Sequence, residues 1–233
     1  MIYNELQKRI LSSLILIPVS LFFIIKGSIF FIFFLSVCFF ITAFEWHMMS
    51  KNKLYNIPGY LFLMISFYTA YLIRGDYLLI AFSPGFLIIV LICISTDVGG
   101  YLFGKLFKGP KLTKISPNKT YSGMIGGYLV SLVFGIFFNF WKITGAGISH
   151  FFEIFGNLNG VIELYDIIFI LVVSTISQLG DIIISYFKRL SKKKDTGNLI
   201  PGHGGILDRI DGMIFAFPLV YLIYFHDYDL LNW

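Results

Sequence analysis

Long apolar runs follow one another along this chain with little polar sequence between them, and they fix its solvent before any motif is considered. A helix that crosses a bilayer needs roughly 17 to 25 mostly apolar residues. Seven stretches approach that length: Leu11–Ile25, Ser28–Phe44, Ile57–Ile73, Tyr77–Thr96, Tyr121–Trp141, Ile167–Ile184 and Gly212–Phe225. The first and last are short, which snorkelling flanks and local bilayer thinning accommodate. Only 13% of the 233 residues are charged, against about 25% in a soluble domain. The pattern predicts an all-α, polytopic integral membrane protein, a single domain over 1–233 with N-terminal spans to residue 96 and the chemistry in 97–233.

The 18 Lys and Arg residues orient those spans. With the N-terminus in the cytoplasm, 15 of them fall inside and only Lys26, Arg74 and Lys142 outside. That bias is the positive-inside pattern. It accounts for the net charge of +5 without nucleic acid, although anionic lipid heads would feel the same loops. Lys8 and Arg9 precede the first run as in a signal peptide, but no small-residue cleavage site follows, so a retained span is expected. Ile148, Phe151, Phe152 and Phe155 repeat at helical spacing and predict an interfacial amphipathic helix on the outer side. Cys38 and Cys93 lie in apolar runs and read as buried small hydrophobes.

Two polar stretches, Gly104–Thr120 and Ser185–Asp211, fall on the inner side as cytoplasmic loops, each after a span that carries an acid near its end. Asp97 closes the fourth run in "STDVGGYLFGKLF", and Asp181 lies in "SQLGDIIISYFKR". An ionisable group at the centre of a span costs at least roughly 2.5 kcal/mol, so it marks a site by default. At interfacial depth Asp97 reads equally well as a solvated, idle acid. Asp181 shares a helical face with Ser185 and Lys188. Asp208 and Asp211, three apart in "LDRIDG", do the same at the start of the last span. Together with Asp181 they form the hard oxygen set that Mg²⁺ takes, above all when phosphate oxygens complete its shell. Complementing a helix dipole would explain one such acid rather than two.

Between these acids runs "PGHGG", residues 201–205. Gly202, Gly204 and Gly205 let backbone approach a ligand and turn N–H groups toward an anion, though alone they would describe a turn. Here they are bracketed by Lys188, Arg189 and Lys194 on one side and Asp208, Arg209 and Asp211 on the other. Cations for phosphates beside carboxylates for a metal point to a nucleotide or polyphosphate substrate. His203 either orients backbone or moves a proton. In the first loop, "KISPNKTYSGMIGG" offers Ser116, Lys119, Thr120 and Ser122 at a helix start, a pattern that suits an anion. A helix cap in a positive-inside loop fits the same composition.

The run S-x-x-K-R-x4-K-D-x-G-x3-P-x-H-G-G-x2-D-R-x-D, from Ser185 to Asp211, closely resembles the signature of the phosphatidate cytidylyltransferases, the CDP-diacylglycerol synthases. "DVGGYLFGK" at Asp97, "SPNKTYSG" at Ser116 and "QLGDIIISYFKR" are similar too, so the likeness covers about the C-terminal two thirds. The N-terminal spans match in kind, with "EW" at Glu45 and Trp46. The resemblance implies a bacterial-type inner-membrane enzyme that joins CTP to phosphatidate, giving CDP-diacylglycerol and pyrophosphate. It implies Mg²⁺ at Asp181, Asp208 and Asp211, with a second cation such as K⁺, and a homodimer. Lys188, Arg189, Asp195, His203 and Arg209 would be catalytic. Ser116, Lys119, Thr120, Ser122, Ser185, Lys194, Gly202, Gly204 and Gly205 would hold substrate. Gly212 departs from the family, where a small hydroxyl residue is common, and eight or nine spans are usual there against the seven counted.

A polyprenol kinase or an ether-lipid cytidylyltransferase would use the same nucleotide and differ in the lipid. CDP-alcohol phosphotransferases resemble D-G-x2-A-R-x8-G-x3-D-x3-D, and "DGMIFAF" at Asp211 lacks the Arg and the later acids. A cation or phosphate transporter would pair two related halves around midplane acids, whereas here the acids gather toward one membrane face.

Overall fold

The computed structural model describes residues 5–74, 84–144, 164–199 and 204–226, and among them it holds eight helices and no strand. The helices are α1 (Glu5–Lys26), α2 (Ser28–Ser50), α3 (Asn56–Arg74), α4 (Pro84–Phe107), α5 (Tyr121–Thr144), α6 (Leu164–Leu190), the single turn α7 (Leu207–Ile210) and α8 (Met213–His226). Helices α2 to α6 are long and apolar enough to cross a membrane, and α1 and α8 contain the shorter apolar stretches Leu14–Lys26 and Met213–Ile223. The described residues are all-helical, and the protein is a multi-pass membrane protein. Large apolar side chains such as Leu14, Phe33, Phe40 and Val133 stand exposed along these helices, as suits walls bathed in lipid.

Two boundaries differ from the sequence expectation. Helix α4 continues ten residues past Asp97 to Phe107, because Tyr101, Leu102, Phe103, Leu106 and Phe107 prolong the apolar run and the intervening glycines face α5. Helix α6 likewise runs beyond Ile184 to Leu190, so Asp181, Ser185 and Lys188 lie on one unbroken helix. The start of the fourth run at Tyr77 and the amphipathic stretch from Ile148 to Phe155 lie outside the described residues.

The chain divides into two compact units, one of residues 1–83 with 180–233 and the other of 84–179. In the first, Gly27 at φ 63° separates α1 from α2 with no intervening loop, a backbone state glycine adopts without strain. The end of α1 is clasped by Arg74 of α3, whose Nε and Nη2 donate to Ile24 O at 3.3 and 3.0 Å while its guanidinium lies 5.6 Å from the Phe31 ring centre. The core of this unit joins Trp46 and Met49 of α2, Leu63 and Phe67 of α3, Ile184 of α6, Leu207 of α7 and Ile214 of α8. Trp46 Nε1 donates to Asn56 O at 3.1 Å and fixes the α2–α3 turn.

In the second unit, α4 and α5 approach almost backbone to backbone. A Cβ added at Gly123 would lie 2.7 Å from Gly100 O, so a larger residue there would force the helices apart. The first part of α6 joins them through polar contacts, Thr96 Oγ1 donating to Ser174 Oγ at 2.8 Å in the interior and Tyr128 OH lying 3.0 Å from Thr175 Oγ1.

Candidate active site

The polar segment after α6 is shaped by two carboxylates. Asp208 accepts from Lys188 Nζ at 2.9 Å on Oδ1, and from Thr196 N at 2.9 Å and Gly205 N at 3.0 Å on Oδ2. Glu45, near the end of α2, accepts from Thr196 Oγ1 at 3.0 Å, Ile206 N at 2.9 Å and Leu207 N at 2.8 Å. Three successive N–H groups, those of residues 205, 206 and 207, are therefore turned onto the protein's own acids. Of the glycines expected to turn N–H groups toward a phosphate, Gly205 gives its own to Asp208. Room for it comes from small residues: a Cβ at Gly197 would fall 2.8 Å from Glu45 Oε1, and one at Gly205 would collide with both Glu45 and Thr196. Gly204 adopts φ 82°, where a side chain is strained.

The basic residues divide into struts and exposed cations. Lys193 Nζ donates to Met48 O at 2.9 Å and Ser191 Oγ to Met49 O at 2.6 Å, which ties the loop to the end of α2. Lys188 is spent on Asp208. Arg189, Lys194 and Arg209 are exposed, as is Asp195, so this end of the unit presents cations at its surface. Arg189 also reaches Lys193 O at 3.4 Å. Ser185 is buried, its Oγ 3.4 Å from Asp181 Oδ1. Asp211 is buried too and accepts from Gly212 N at 2.9 Å. Gly180 allows α6 close to it, since a Cβ there would be 2.8 Å from Asp211 O. Gly202 and His203 lie outside the described residues.

In the second unit the first polar loop is a compact turn. Leu112 N donates to Lys119 O at 2.8 Å and Tyr121 N to Pro110 O at 3.0 Å. Thr120 Oγ1 accepts from Gly123 N at 3.1 Å and caps α5, and Ser122 Oγ accepts from Gly109 N at 3.2 Å. These two hydroxyls, 3.0 Å apart, close the loop onto the helix it precedes. Ser116 N bonds to Thr113 Oγ1 at 3.1 Å, while Lys119 Nζ reaches Gln178 O at 3.4 Å.

Among the described residues no three His, Cys, Asp or Glu side chains gather as a metal cage. A carboxylate offers roughly four acceptor positions, and three of those on Asp208 are taken by Lys188 and two N–H groups. Magnesium in nucleotide sites is ordinarily held by one or two carboxylates with substrate phosphates supplying the rest.

Sequence reasoning passed over Glu45 and Thr196 as site residues. The signal was present, because Glu45 is a lone acid at the end of an apolar run, the same mark that singles out Asp97 and Asp181.

Fold and site together define a multi-pass helical membrane protein whose cation-rich loop is knotted by two acids. More particularly, the chain belongs to the cytidylyltransferase family, whose profile it matches over residues 78–226. It is 32% identical over 224 residues to a phosphatidate cytidylyltransferase of Rickettsia felis, covering 94% of this chain and 92% of that protein. It is also 37% identical over 185 residues to one of Staphylococcus haemolyticus, covering 75% and 62% of the two chains. A third, from Synechocystis sp., is 38% identical over 149 residues, covering 60% and 44%. The chain thus spans about half the length of some of the curated relatives it matches, and nearly the whole of the Rickettsia felis protein.

Proposed function

We propose that this chain transfers the cytidylyl group of CTP to phosphatidate, releasing pyrophosphate and leaving CDP-diacylglycerol in the membrane. The observation that carries the reading is the likeness, over almost all of both chains, to a protein bearing the phosphatidate cytidylyltransferase name. The loop chemistry agrees with it. A phosphate monoester has a second pKa of roughly 6, so phosphatidate arrives largely dianionic and needs little help from a base. One of its oxygens forms the new bond to the α-phosphorus of CTP as the bond to the β-phosphate oxygen breaks. The difficulty is bringing a dianion against a polyanion, and fixed cations are the answer to it.

Arg189, Lys194 and Arg209 are proposed to receive the phosphates, and Asp208 to keep Lys188 aimed from the end of α6. Asp195 is proposed to contact the nucleotide, and His203, with Gly202, to act where pyrophosphate leaves. Ser185 would orient Asp181. Ser116 and Lys119 are proposed to bind substrate from the first loop, with Thr120 and Ser122 holding that loop's shape. Magnesium, bound with the triphosphate by Asp181, Asp211 and the remaining acceptor position of Asp208, would offset leaving-group charge.

In this reading seven spans cross the inner membrane of a bacterial-type cell, with the N-terminus and both loops cytoplasmic, as the distribution of Lys and Arg supports. Incubating membranes that contain the full chain with CTP and phosphatidate, with and without chelator, tests the reading. CTP-dependent CDP-diacylglycerol and pyrophosphate in equal amounts is the expected result. Product from a polyprenol or an ether lipid, and none from phosphatidate, would move the chain to another substrate.

A further inference from the structure

Glu45 has no part in the chemistry assigned so far, yet its side chain is almost wholly enclosed, 4% exposed at the end of a lipid-embedded helix. It accepts in each of its three hydrogen bonds, from Thr196 before residues 200–203 and from Ile206 and Leu207 after them. Thr196 connects it to the cationic side of the loop. The Thr196 hydroxyl donates to Glu45 while its N–H donates to Asp208, and Asp208 in turn holds Lys188. A chain of contacts therefore runs from Glu45 through Thr196 and Asp208 to the Lys188 ammonium.

We propose that Glu45 is a positioning residue that holds Thr196 and residues 205–207 in the arrangement in which the cationic side chains beside them take the phosphates of the nucleotide. The proposal rests on the cytidylyltransferase reading. An acid that merely filled a core hole would need neither two successive N–H groups aimed at it nor two glycines cleared for it, and Glu45 has both, at Ile206 and Leu207 and at Gly197 and Gly205. In Glu45→Gln one of the two N–H groups must face an amide NH₂ whichever way the amide turns, so the loop loses a hydrogen bond to a charged acceptor while side-chain volume is unchanged.

The test uses the purified full chain in detergent, with hydrogen exchange and steady-state kinetics on wild type, Glu45→Gln and Glu45→Asp. In Glu45→Gln, exchange at the amides of residues 205–207 should quicken about tenfold, with α3 and α6 unaffected, and the KM for CTP should rise about tenfold, the size expected for one charge-assisted hydrogen bond. The KM for phosphatidate should stay within about twofold, and Glu45→Asp, which keeps the charge, should recover part of the CTP affinity. Unchanged exchange and unchanged KM for CTP would overturn the proposal. So would a fall in activity that tracks loss of folded protein with both KM values preserved, since that is a structural effect alone. A loosened loop in a protein whose wild type makes no product from CTP would sink the cytidylyltransferase reading and Glu45's part in nucleotide binding with it. If Glu45→Gln does not fold, Thr196→Val removes only the hydroxyl link and should raise the KM for CTP by about threefold. No change in that variant would overturn the contact chain.

Discussion

Lys188 Nζ lies 2.9 Å from Asp208 Oδ1, and only 12% and 6% of the two side chains are exposed. The pair joins the last turn of α6 to α7 across 20 residues of sequence, so the two residues act as one unit. Removing one member leaves the other charge nearly enclosed. Lys188→Met and Asp208→Asn are each expected to cost about 3 kcal/mol, and the double substitution little more than either, because the second change removes an orphaned charge. Unfolding of the three variants in detergent measures the coupling.

Gly205→Ala should be far more damaging than Gly109→Ala. The new methyl at 205 runs into Glu45 and Thr196, whereas at 109 its nearest neighbours are atoms of Ser122 at 3.1 to 3.4 Å. Overpacking of the first kind costs about 1 to 3 kcal/mol, which in a loop that must hold its shape becomes a tenfold to hundredfold loss of activity. Specific activity per folded protein separates the two variants.

Thr120→Val tests what the first loop's hydroxyls do. As the cap of α5, Thr120 is worth about 1 kcal/mol of stability, and its loss should lower the unfolding midpoint without moving the KM for CTP. A large rise in that KM at unchanged stability would place the hydroxyl on the substrate instead.

Magnesium titrations distinguish the three acids. Asp181→Asn and Asp211→Asn are expected to raise the magnesium concentration for half-maximal activity by about tenfold, within the range of weakened metal ligation. Asp208→Asn is expected to shift that midpoint too and also to lose activity at saturating magnesium, because its other acceptor positions serve Lys188, Thr196 and Gly205. An unchanged midpoint in Asp208→Asn would remove it from the metal set.

Much of this molecule could be read from its apolar periodicity. All seven anticipated runs contain helix, and the shared face of Asp181, Ser185 and Lys188 follows from helical spacing alone. Helix ends were harder to read. Gly99, Gly100 and Gly104, coming after Asp97, look like the end of a run, but these glycines are packing surfaces against α5, which a single sequence does not distinguish from a turn. The loop signature pointed to Asp208 as an important acid. Its engagement with Lys188 and two N–H groups depends on how the chain folds back from residue 208 to residue 196, and no spacing rule encodes that. Glu45 was obscured for a similar reason, since its partners stand at Thr196, Ile206 and Leu207.

That separation has a consequence during synthesis. Glu45 emerges 151 residues ahead of Thr196 and 162 ahead of Leu207, when nothing that will bond to it has been made. Contacts so distant along the chain close late, after the ordering cost of everything between them has been met. A nascent chain therefore carries an unanswered acid at the end of α2 until Thr196, Ile206 and Leu207 have been translated, and Glu45 meets its partners only then.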